Sequence, residues 1–596
     1  MGADALTDFD GALEARLERL DNSVVEFERY KSSHYIGVCT ATYNIQVMRR
    51  LLPGMIFAVP NFRSDAKQRY TLFELVGFRP VHFGAAAITA DTLPEIRKEV
   101  FEKVRYEWVK GSKAAYIQFT GNPINYDLIV DGSEYSFERG WSFPLLGGEV
   151  SFLTESSISH LINNGLPTDS PTIAKLISHE GVNVKVDAYA LTSYHVGVFA
   201  YTGGGKSNLV SHLIRTVMNS TPTTKVVVFD VAGEYSVNLA DIMLSEAYES
   251  LLLIEEEVLS ADQLSSRFTL PKGFAGKVAT SVNTFAEALI RRKRVSKVAE
   301  HKLYARHLET RVTYNDVAEM ISEKIDYYAD KKNATLKVLL IGVLGQLSSF
   351  IKQRNLGWEN PVGAELSEFI QGLNVDLSQK PMQNLMTDMR VIADSVNRQP
   401  DKEAYWEGFS DSQLVNLLND PAGVRLVVVS FTDVSRLRRF AANVCTRVLQ
   451  FRKSRFRKDP PVFFVFDEAQ ELIPKEARDD DGTRYSSYAI EQLLRQGRKY
   501  GLGGLIATQR LAYLNTNVLQ QIHTYFVGTL PRPYDRTTIS DQFAVDPTIV
   551  DKTLELQSGE WLLSSYSATG VRNMPMFITT PNNEETVIET LKKLSA

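Results

Sequence analysis

The chain has 596 residues, too many for a single hydrophobic core, so its length predicts two or three domains. A hydrophobic fraction of 44% and a charged fraction of 23% are those of an ordinary soluble globular protein. The net charge of −5 gives no overall basic surface, so a nucleic-acid-binding surface would have to be local. The two cysteines, Cys39 and Cys445, indicate neither a disulfide framework nor a metal cluster.

The N-terminal segment is acidic and amphipathic, without the basic-then-apolar order of a signal peptide. Residues 8–30 carry apolar side chains at helical spacing, beginning with Leu13, Leu17 and Leu20, and this spacing predicts a helix. No apolar run approaches the roughly 20 residues of a membrane span. We therefore expect a soluble, cytoplasmic protein with no membrane partner.

From His34 to about Thr154 the pattern changes to short β-rich runs broken by glycine, proline and asparagine. Runs such as "YTLFELVGF" and "AAYIQFTG" at this spacing favour a small barrel or sandwich. One helix is expected within this region, at about 93–110.

Six strongly apolar runs follow in the rest of the chain. Continuous runs rich in valine, isoleucine and phenylalanine, separated by helical patterns, are typical of strands buried on both faces of a parallel sheet. They lie at 195–200, 225–231, 424–431, 461–468, 503–509 and 524–530. The segment of about 240–420, between the second and third runs, has helical periodicity and is interpreted as a helical insertion.

The first chemical motif is a candidate phosphate-binding loop, "YTGGGKSN", between an apolar run and the helical pattern "LVSHLIRTVM". Small residues let successive backbone N–H groups surround phosphates, and the helix N-terminus adds partial positive charge. Lys206 would reach the β and γ oxygens of ATP, and the Ser207 hydroxyl would hold Mg²⁺. The other nucleotide-binding candidates in this motif are Thr202, Gly203, Gly204, Gly205 and Asn208.

Ala200 stands where the pattern GxxxxGK(S/T) has its first glycine. If that position has a negative φ, the added methyl group costs little. The alternative is that the run is a glycine-rich turn without a nucleotide.

The run at 461–468 ends in Asp467 and Glu468, the second half of a nucleoside triphosphatase site. Asp467 would hold the Mg²⁺ shell, and Glu468 would orient and polarise the attacking water. Taken alone, the pair could also be an acidic cap on the following helix.

Acidic residues also follow the second apolar run, in "VVVFDVAGEYS". In a doubly wound sheet the carboxyl ends of the strands line the ligand crevice, so Asp230 and Glu234 should lie near the phosphates. The alternative is a loop with solvated carboxylates.

The segment "IEQLLRQGRKYGLGGLIATQR" combines a helix, a closing glycine and a strand that ends near Gln509. Gln509 could sense the γ-phosphate or hold the water, and Arg495 or Arg498 could neutralise transition-state charge. Arginines near a helix C-terminus also stabilise the helix dipole. Two basic stretches, 289–302 and 434–458, could contact a phosphate backbone or form solvated helix faces.

The order of these motifs resembles the HerA family, hexameric DNA-translocating ATPases related to the FtsK and conjugative-pump ATPases. The resemblance covers nearly the whole chain, from the β-rich region through "HVGVFAYTGGGKSN" and "FVFDEAQELIP" to "LQSGEWLLSSY". The triplet "GEY" after the second apolar run and "GRKYGLG…ATQR" are its most specific parts.

The resemblance implies an α/β fold: a RecA-like P-loop core with a small N-terminal β-barrel and an inserted helical bundle. The implied divisions are an N-terminal helix and partner-docking barrel, the two parts of the core on either side of the insertion, and a tail. Their boundaries are 1–155, 156–239, 240–420, 421–576 and 577–596.

The resemblance also implies an assembly, a homo-hexameric ring around double-stranded DNA that binds ATP and Mg²⁺ between neighbouring subunits. The tail would reach an adjacent subunit. The implied partner is a NurA-type nuclease in DNA end processing, or a nuclease or other effector in antiphage defence.

This chain departs from the family pattern at Tyr194. Many HerA sequences carry an arginine immediately before the histidine that corresponds to His195, and it is proposed to act across the subunit boundary. Here such an arginine must come from elsewhere or be absent.

Three functions fit the motifs: an ATP-driven DNA translocase working with a nuclease or other effector, an ATP-regulated ring scaffold that activates an effector without obligatory movement, and a conjugative or secretion pump subunit. A Glu468→Gln protein, able to bind but not hydrolyse ATP, separates the first two.

Overall fold

The structure is a computed structural model. It describes residues 5–26, 31–64, 67–89, 92–110, 113–140, 142–255, 260–271, 274, 279–298, 313–330, 333–358, 360–363, 365–373, 378–396, 409–478 and 482–595. The end of the first basic stretch, 299–302, and residues 27–30 of the predicted N-terminal helix lie outside these ranges.

The strands are β1 (Leu6–Thr7), β2 (Ala15–Glu26), β3 (Lys31–Thr42), β4 (Ile56–Pro60), β5 (Gln68–His82), β6 (Ala115–Asp131), β7 (Glu134–Arg139), β8 (Ser151–Leu153), β9 (Thr172–Leu176), β10 (Asn183–Lys185), β11 (Val196–Phe199), β12 (Lys225–Asp230), β13 (Ser250–Ile254), β14 (Val295–Lys297), β15 (Leu426–Ser430), β16 (Val462–Phe466), β17 (Leu502–Thr508), β18 (Thr524–Val527), β19 (Glu560–Ser565) and β20 (Met576–Thr579).

The helices are α1 (Ile45–Arg50), α2 (Phe83–Ala86), α3 (Pro94–Lys110), α4 (Glu155–Ile162), α5 (Ala188–Ser193), α6 (Lys206–Ser220), α7 (Tyr235–Asn238), α8 (Ala240–Leu244), α9 (Ala261–Ser265), α10 (Ala279–Arg291), α11 (Tyr314–Asp330), α12 (Ala334–Gln353), α13 (Glu365–Gly372), α14 (Lys380–Val396), α15 (Asp411–Asn419), α16 (Val434–Arg455), α17 (Thr483–Gly497), α18 (Thr516–Leu519), α19 (Pro533–Phe543), α20 (Pro547–Asp551) and α21 (Glu584–Ser595).

An antiparallel sheet occupies the N-terminal part of the described chain. Its strand order is β1-β8-β4-β5-β6-β3-β2, and β7 pairs with β6. Strand β2 lies at the end of this order, and an isolated bridge joins its Arg16 to Glu149, just before β8. The β-rich region and the helix predicted at 93–110 are thus confirmed.

The predicted N-terminal helix is wrong, because residues 15–26 form the edge strand β2, paired along its length with β3. Its first residues alternate: Ala15 and Leu17 are buried, whereas Arg16 and Glu18 are exposed. The step of four from Leu13 to Leu17 also fits a strand, and an irregularity in the pairing with β3 between Leu17 and Arg19 accommodates the step of three to Leu20.

The larger sheet has the order β10-β9-β20-β19-β18-β11-β17-β16-β12-β15-β13-β14. The strands from β18 to β14 are parallel, and β19, β20, β9 and β10 extend the sheet in antiparallel fashion. All six apolar runs are confirmed as strands of this sheet. The protein is therefore of the mixed α/β class.

Both faces of the parallel strands are buried. On β12, Val226 and Val228 pack into one hydrophobic cluster, while Val227 and Phe229 pack into the cluster on the other face. This arrangement explains why the strands read as unbroken apolar runs.

The interpretation of 240–420 as a helical insertion is wrong in part. The segment contains β13 and β14, and β13 lies between β15 and β14 in the large sheet. A five-residue and a three-residue strand flanked by helical patterns give too short a signal to be read from periodicity.

The helices from α11 to α14 form a separate hydrophobic cluster, built around residues such as Leu340, Val343 and Met389. Among the described helices, α12 is long and apolar enough to cross a membrane by length and composition, so the expectation that no run reaches that length is wrong. One helix of this kind is weak evidence for a span, because core helices of soluble proteins pass the same test.

The C-terminal tail folds onto its own chain. Strand β20 pairs with β19 and β9, and α21 packs against α8 and α10. No second subunit is present in this structure, so the contact of 577–596 with an adjacent subunit stays a prediction.

Candidate nucleotide site

The phosphate loop connects β11 to α6. Gly203 and Gly205 both have φ of 89°, a left-handed conformation that side chains rarely adopt. Gly205 caps α6 without a side-chain hydrogen bond, so the first N–H groups of the helix remain available to a ligand.

Ala200 fits the loop without backbone strain, because its φ is negative. Its methyl group is fully buried beside two glycines. A Cβ built on Gly528 would lie 2.9 Å from the Ala200 Cβ, and one built on Gly204 would lie 3.1 Å from it. Because both neighbouring positions are glycine, there is space for the methyl group that Ala200 adds in place of the usual first glycine.

The strand order brings the separate motifs together. Strand β17 lies between β11, which leads into the phosphate loop, and β16, which ends before Asp467. The Lys206 Nζ donates to Asp467 Oδ1 at 2.6 Å and to Glu468 Oε1 at 2.8 Å. Gln509, just beyond β17, donates from Nε2 to Glu468 Oε1 at 2.5 Å, and Thr202 donates to its Oε1.

Glu468 is held from several directions. Its φ of 42° is left-handed, a conformation that costs a non-glycine residue on the order of 1–3 kcal/mol and is concentrated at functional sites. Gln470 Nε2 donates to Glu468 Oε2 at 3.0 Å, and Thr508 Oγ1 donates to Gln470 Oε1 at 2.6 Å. The sequence analysis missed Gln470 and Thr508, although both are polar residues directly beside recognised motifs.

The charges in this cluster depend on one another. Burial acts to raise the pKa of Glu468, but the Lys206 ammonium and the donated hydrogen bonds bring it below its usual range. Burial acts to lower the pKa of Lys206, and the two carboxylates together raise it above its ordinary value. For Asp467, burial prevails over the attraction of Lys206, and its pKa is raised.

Glu234 lies against the phosphate loop, as expected. Ser207 Oγ donates to Glu234 Oε2 at 2.6 Å. Asp230, by contrast, is fully buried and accepts hydrogen bonds from the backbone N–H groups of Gly233, Glu234 and Tyr235. Burial and nearby Asp467 raise the pKa of Asp230 to about 7. Asp230 thus shapes the turn that presents Glu234.

Three predicted site residues have other contacts. The Arg495 Nη1 lies 4.0 Å from the Oε1 of Glu491, which is on the same helix. The Arg498 guanidinium stacks 4.1 Å above the Tyr194 ring and donates to its hydroxyl at 3.0 Å. The Asn208 side chain binds the C-terminal tail, at Pro581 and Asn583.

Many of the basic residues in the two stretches serve the fold. Arg292 and Arg294 donate to backbone carbonyls at the end of α8. Arg452 is fully buried, donates to Pro460 O at 2.7 Å, and has its pKa lowered to about 10 by burial. Arg438 and Arg447 are also bound within the chain, to Glu471 and Asp411.

His195 connects three elements of the site. Its Nε2 lies 2.6 Å from the Leu494 carbonyl at the end of α17, and its Nδ1 accepts from the Gly504 N–H of β17 at 3.1 Å. Burial lowers the pKa of His195 to about 4, so the ring is neutral and donates from Nε2. In the sequence, His195 marks only the position that follows the arginine of many HerA proteins, and it was not predicted to connect these elements.

The oxygen donors present fit Mg²⁺ bound together with a nucleotide. Within the described residues, no group of three or more His, Cys, Asp or Glu side chains could hold a metal by itself. Mg²⁺ usually takes one or two protein ligands together with phosphates and water. The Ser207 hydroxyl and the Asp467 carboxylate supply such a donor set.

Comparisons with known proteins identify the central part of the chain. Residues 172–398 match the family described as "Helicase HerA, central domain". The DNA double-strand break repair helicase HerA of Pyrococcus furiosus is 22% identical over 459 residues, covering 72% of this chain and 72% of that protein. HerA of Sulfolobus acidocaldarius is 23% identical over 430 residues, covering 70% and 71%. The resemblance found in the motifs is thereby confirmed.

Solved structures also align with the chain. VirB4 of Thermoanaerobacter pseudethanolicus has a TM-score of 0.40 at 14% identity, covering 70% of this chain and 97% of that one. The conjugative coupling protein TrwB, in its unbound form, has a TM-score of 0.37 at 14% identity, covering 72% and 92%.

Proposed function

We propose that this chain, a HerA-type P-loop ATPase, uses ATP hydrolysis to move along double-stranded DNA. The observation that carries the proposal is the cluster formed by Lys206, Asp467, Glu468 and Gln509. These side chains come from three neighbouring strand ends and meet beside a glycine-rich loop at a helix N-terminus. The HerA helicases that the chain resembles are named for work on broken DNA.

Each member of the cluster has a role in the proposed reaction. The backbone N–H groups of 203–207 surround the phosphates, and Lys206 moves from its two carboxylates to the β and γ oxygens. Glu468, freed from Lys206, accepts a hydrogen bond from the attacking water and polarises it. Gln509 holds the water or contacts the γ-phosphate.

Ser207 and Asp467 would hold Mg²⁺, which would supply positive charge that neutralises the phosphates. Glu234 accepts a hydrogen bond from the Ser207 hydroxyl, so the lone pairs of Ser207 Oγ are directed away from Glu234. Before ATP binds, the Lys206 ammonium holds the pKa of Glu468 below its usual range, so the carboxylate is ionised near neutral pH.

The assembly we propose is a homo-hexamer around duplex DNA, with ATP bound between neighbouring subunits. In this chain Arg495 lies beside Glu491 and Arg498 beside Tyr194, and we propose that the arginine at the γ-phosphate comes from a neighbouring subunit. We propose that the N-terminal sheet is the HerA-type barrel, where a nuclease or other effector docks, and that α11–α14 form the inserted bundle. We place the protein in the cytoplasm.

The first test is ATP hydrolysis by the purified full chain. Lys206→Ala should abolish both binding and hydrolysis, whereas Glu468→Gln should retain ATP binding and hydrolyse at least about 100-fold more slowly. The matched control is Glu471→Gln, three residues further in the same loop and paired with Arg438, and it should retain hydrolysis. Full activity in either site variant would overturn the assignment of the site.

The second test is movement on DNA. With linear duplex carrying a bound third strand, the wild-type protein should displace that strand in an ATP-dependent manner, and the Glu468→Gln protein should not. Equal displacement by both proteins, or none by the wild type with its effector present, would contradict a translocase. Effector activation by Glu468→Gln without displacement would instead support the ring scaffold.

A further inference from the structure

The order of strands fixes the direction in which a nucleotide lies across the phosphate loop. On one side of β11, strands β17 and β16 lead to Gln509 and Glu468, where the γ-phosphate would react. On the other side lie β18, β19 and β20. A triphosphate with its γ end at the carboxylates therefore directs its nucleoside towards β18–β20.

Two segments from this second side touch the phosphate loop. A Cβ built on Gly205 would lie 3.1 Å from the Gly559 backbone N and 3.4 Å from Ser558 Oγ. Residues 580–583 are here called the tail loop. This loop lies beside Gly559, because Thr580 N donates to Gly559 O at 2.9 Å.

Asn208, the residue after Ser207, joins α6 to the tail loop with both ends of its amide. Its Nδ2 donates to Pro581 O at 2.9 Å, and its Oδ1 accepts from Asn583 N at 2.9 Å. The tail loop is therefore positioned by the first turn of the helix that binds the phosphates.

The tail loop also carries an unsatisfied donor. Asn583 Nδ2 is buried and has no hydrogen-bond partner within the described residues. A buried donor without an acceptor costs about 1–3 kcal/mol. A ribose hydroxyl or a ring nitrogen of a base would supply the missing acceptor once the loop adjusts around a ligand.

We propose that the tail loop of the same chain forms the wall that binds the nucleoside half of ATP, and that Asn208 is the residue that positions it. This inference rests on the proposed ATPase function and adds the subsite for ribose and base. The loop leads directly into α21, so nucleoside binding also fixes the start of the C-terminal helix.

The test compares two ligands that share their phosphates. Binding of ATP and of inorganic tripolyphosphate is measured in the presence of Mg²⁺, with Glu468→Gln as the parent protein. Adding Asn208→Ala should weaken ATP binding about tenfold, which corresponds to about 1.4 kcal/mol. Tripolyphosphate, which has no nucleoside, should bind within about twofold of the parent.

Two further variants control the interpretation. Asn219→Ala lies at the opposite end of α6, where its side chain accepts from Tyr248, and it should leave both affinities unchanged. Asn583→Ala removes the unsatisfied amide and should weaken ATP alone, which keeps the proposal testable if Asn208→Ala does not fold.

Equal losses for ATP and tripolyphosphate in the Asn208 and Asn583 variants would overturn the proposal, and so would unchanged ATP binding. A Lys206→Ala protein should lose both ligands. If it keeps both, the phosphate site itself is misassigned, a failure of the proposed function that is distinct from a failure of the tail-loop subsite.

Discussion

At the scale of single residues, the phosphate loop shows how one substitution is accommodated by another. The Ala200 methyl group occupies space that a side chain at Gly528, just after β18, would fill. The Trp561 ring closes the same space from β19, with Cζ3 3.1 Å from the position of a Gly528 Cβ. Ala200 and Gly528 therefore form a packing pair.

Gly528→Ala should destabilise the protein by about 1–3 kcal/mol, because its new Cβ would overlap the Ala200 methyl and the Trp561 ring. The double change Ala200→Gly with Gly528→Ala should recover part of this loss. The free energy of unfolding of the four proteins in the cycle measures the coupling. Gly342→Ala, in α12 with nothing within 4 Å of its Cβ, is the control and should not destabilise. Additive effects of the two changes would contradict the pairing.

At the scale of elements, the strand that leads to the phosphate loop is fastened to its neighbours by His195. The ring links the start of β11 to the backbone of α17 and β17. Strand β17 continues to Gln509, and α17 carries Arg495. The neutral form of one imidazole thus holds together the elements that present the phosphate loop and the Gln509 amide.

The stability of this junction should depend on pH. The folded protein keeps His195 neutral down to about pH 4, whereas the unfolded chain takes up its proton near pH 6.5. The unfolded state therefore binds more protons between these values, and stability is lost as the pH falls through this window. Between pH 7.5 and 5, the wild type should lose about 2 kcal/mol more unfolding free energy than His195→Gln.

Chemical denaturation at both pH values measures this difference. His160→Gln, which changes an exposed histidine, should follow the wild-type pH profile. A His195→Gln protein with the same acid sensitivity as the wild type would show that another group is responsible.

At the scale of the whole molecule, the N-terminal sheet and the large sheet share one hydrophobic cluster. Leu72 and Leu128 of the N-terminal sheet belong to the same cluster as Val226 and Leu505 of the large sheet. Lys552 Nζ also donates to Val76 O at 3.1 Å across the junction. The helical unit of α11–α14 has a cluster of its own, centred on residues such as Leu340.

This distribution predicts two kinds of core variant. Leu128→Ala should cost about 2–5 kcal/mol and raise hydrogen exchange in both the N-terminal sheet and the large sheet. Leu340→Ala, a change of the same size at a position equally buried, should raise exchange only in the helical unit and leave ATP binding intact. Exchange confined to the N-terminal sheet in Leu128→Ala would contradict a shared core.

Sequence reasoning succeeded where a physical signal is local. The six buried strands and the residues at their carboxyl ends could be predicted, because unbroken apolar runs and strand-end chemistry are visible in a short window. It failed for β2, where the leucine spacing fits helix and strand alike, and for β13 and β14, which are too short to show a period. The contacts of Asn208 and Arg498 could not be predicted, because their partners lie more than 300 residues away in the chain.

The link between Asn208 and Asn583 spans 375 residues of sequence. At a synthesis rate of about 5–20 residues per second, the phosphate loop is made roughly 20–75 s before the tail loop. Throughout that interval a nascent chain lacks β19, β20 and the nucleoside wall that we propose. We expect the ribosome-bound protein to hold nucleotide poorly until the tail is made. Chains that stall earlier would then lack a complete nucleotide site.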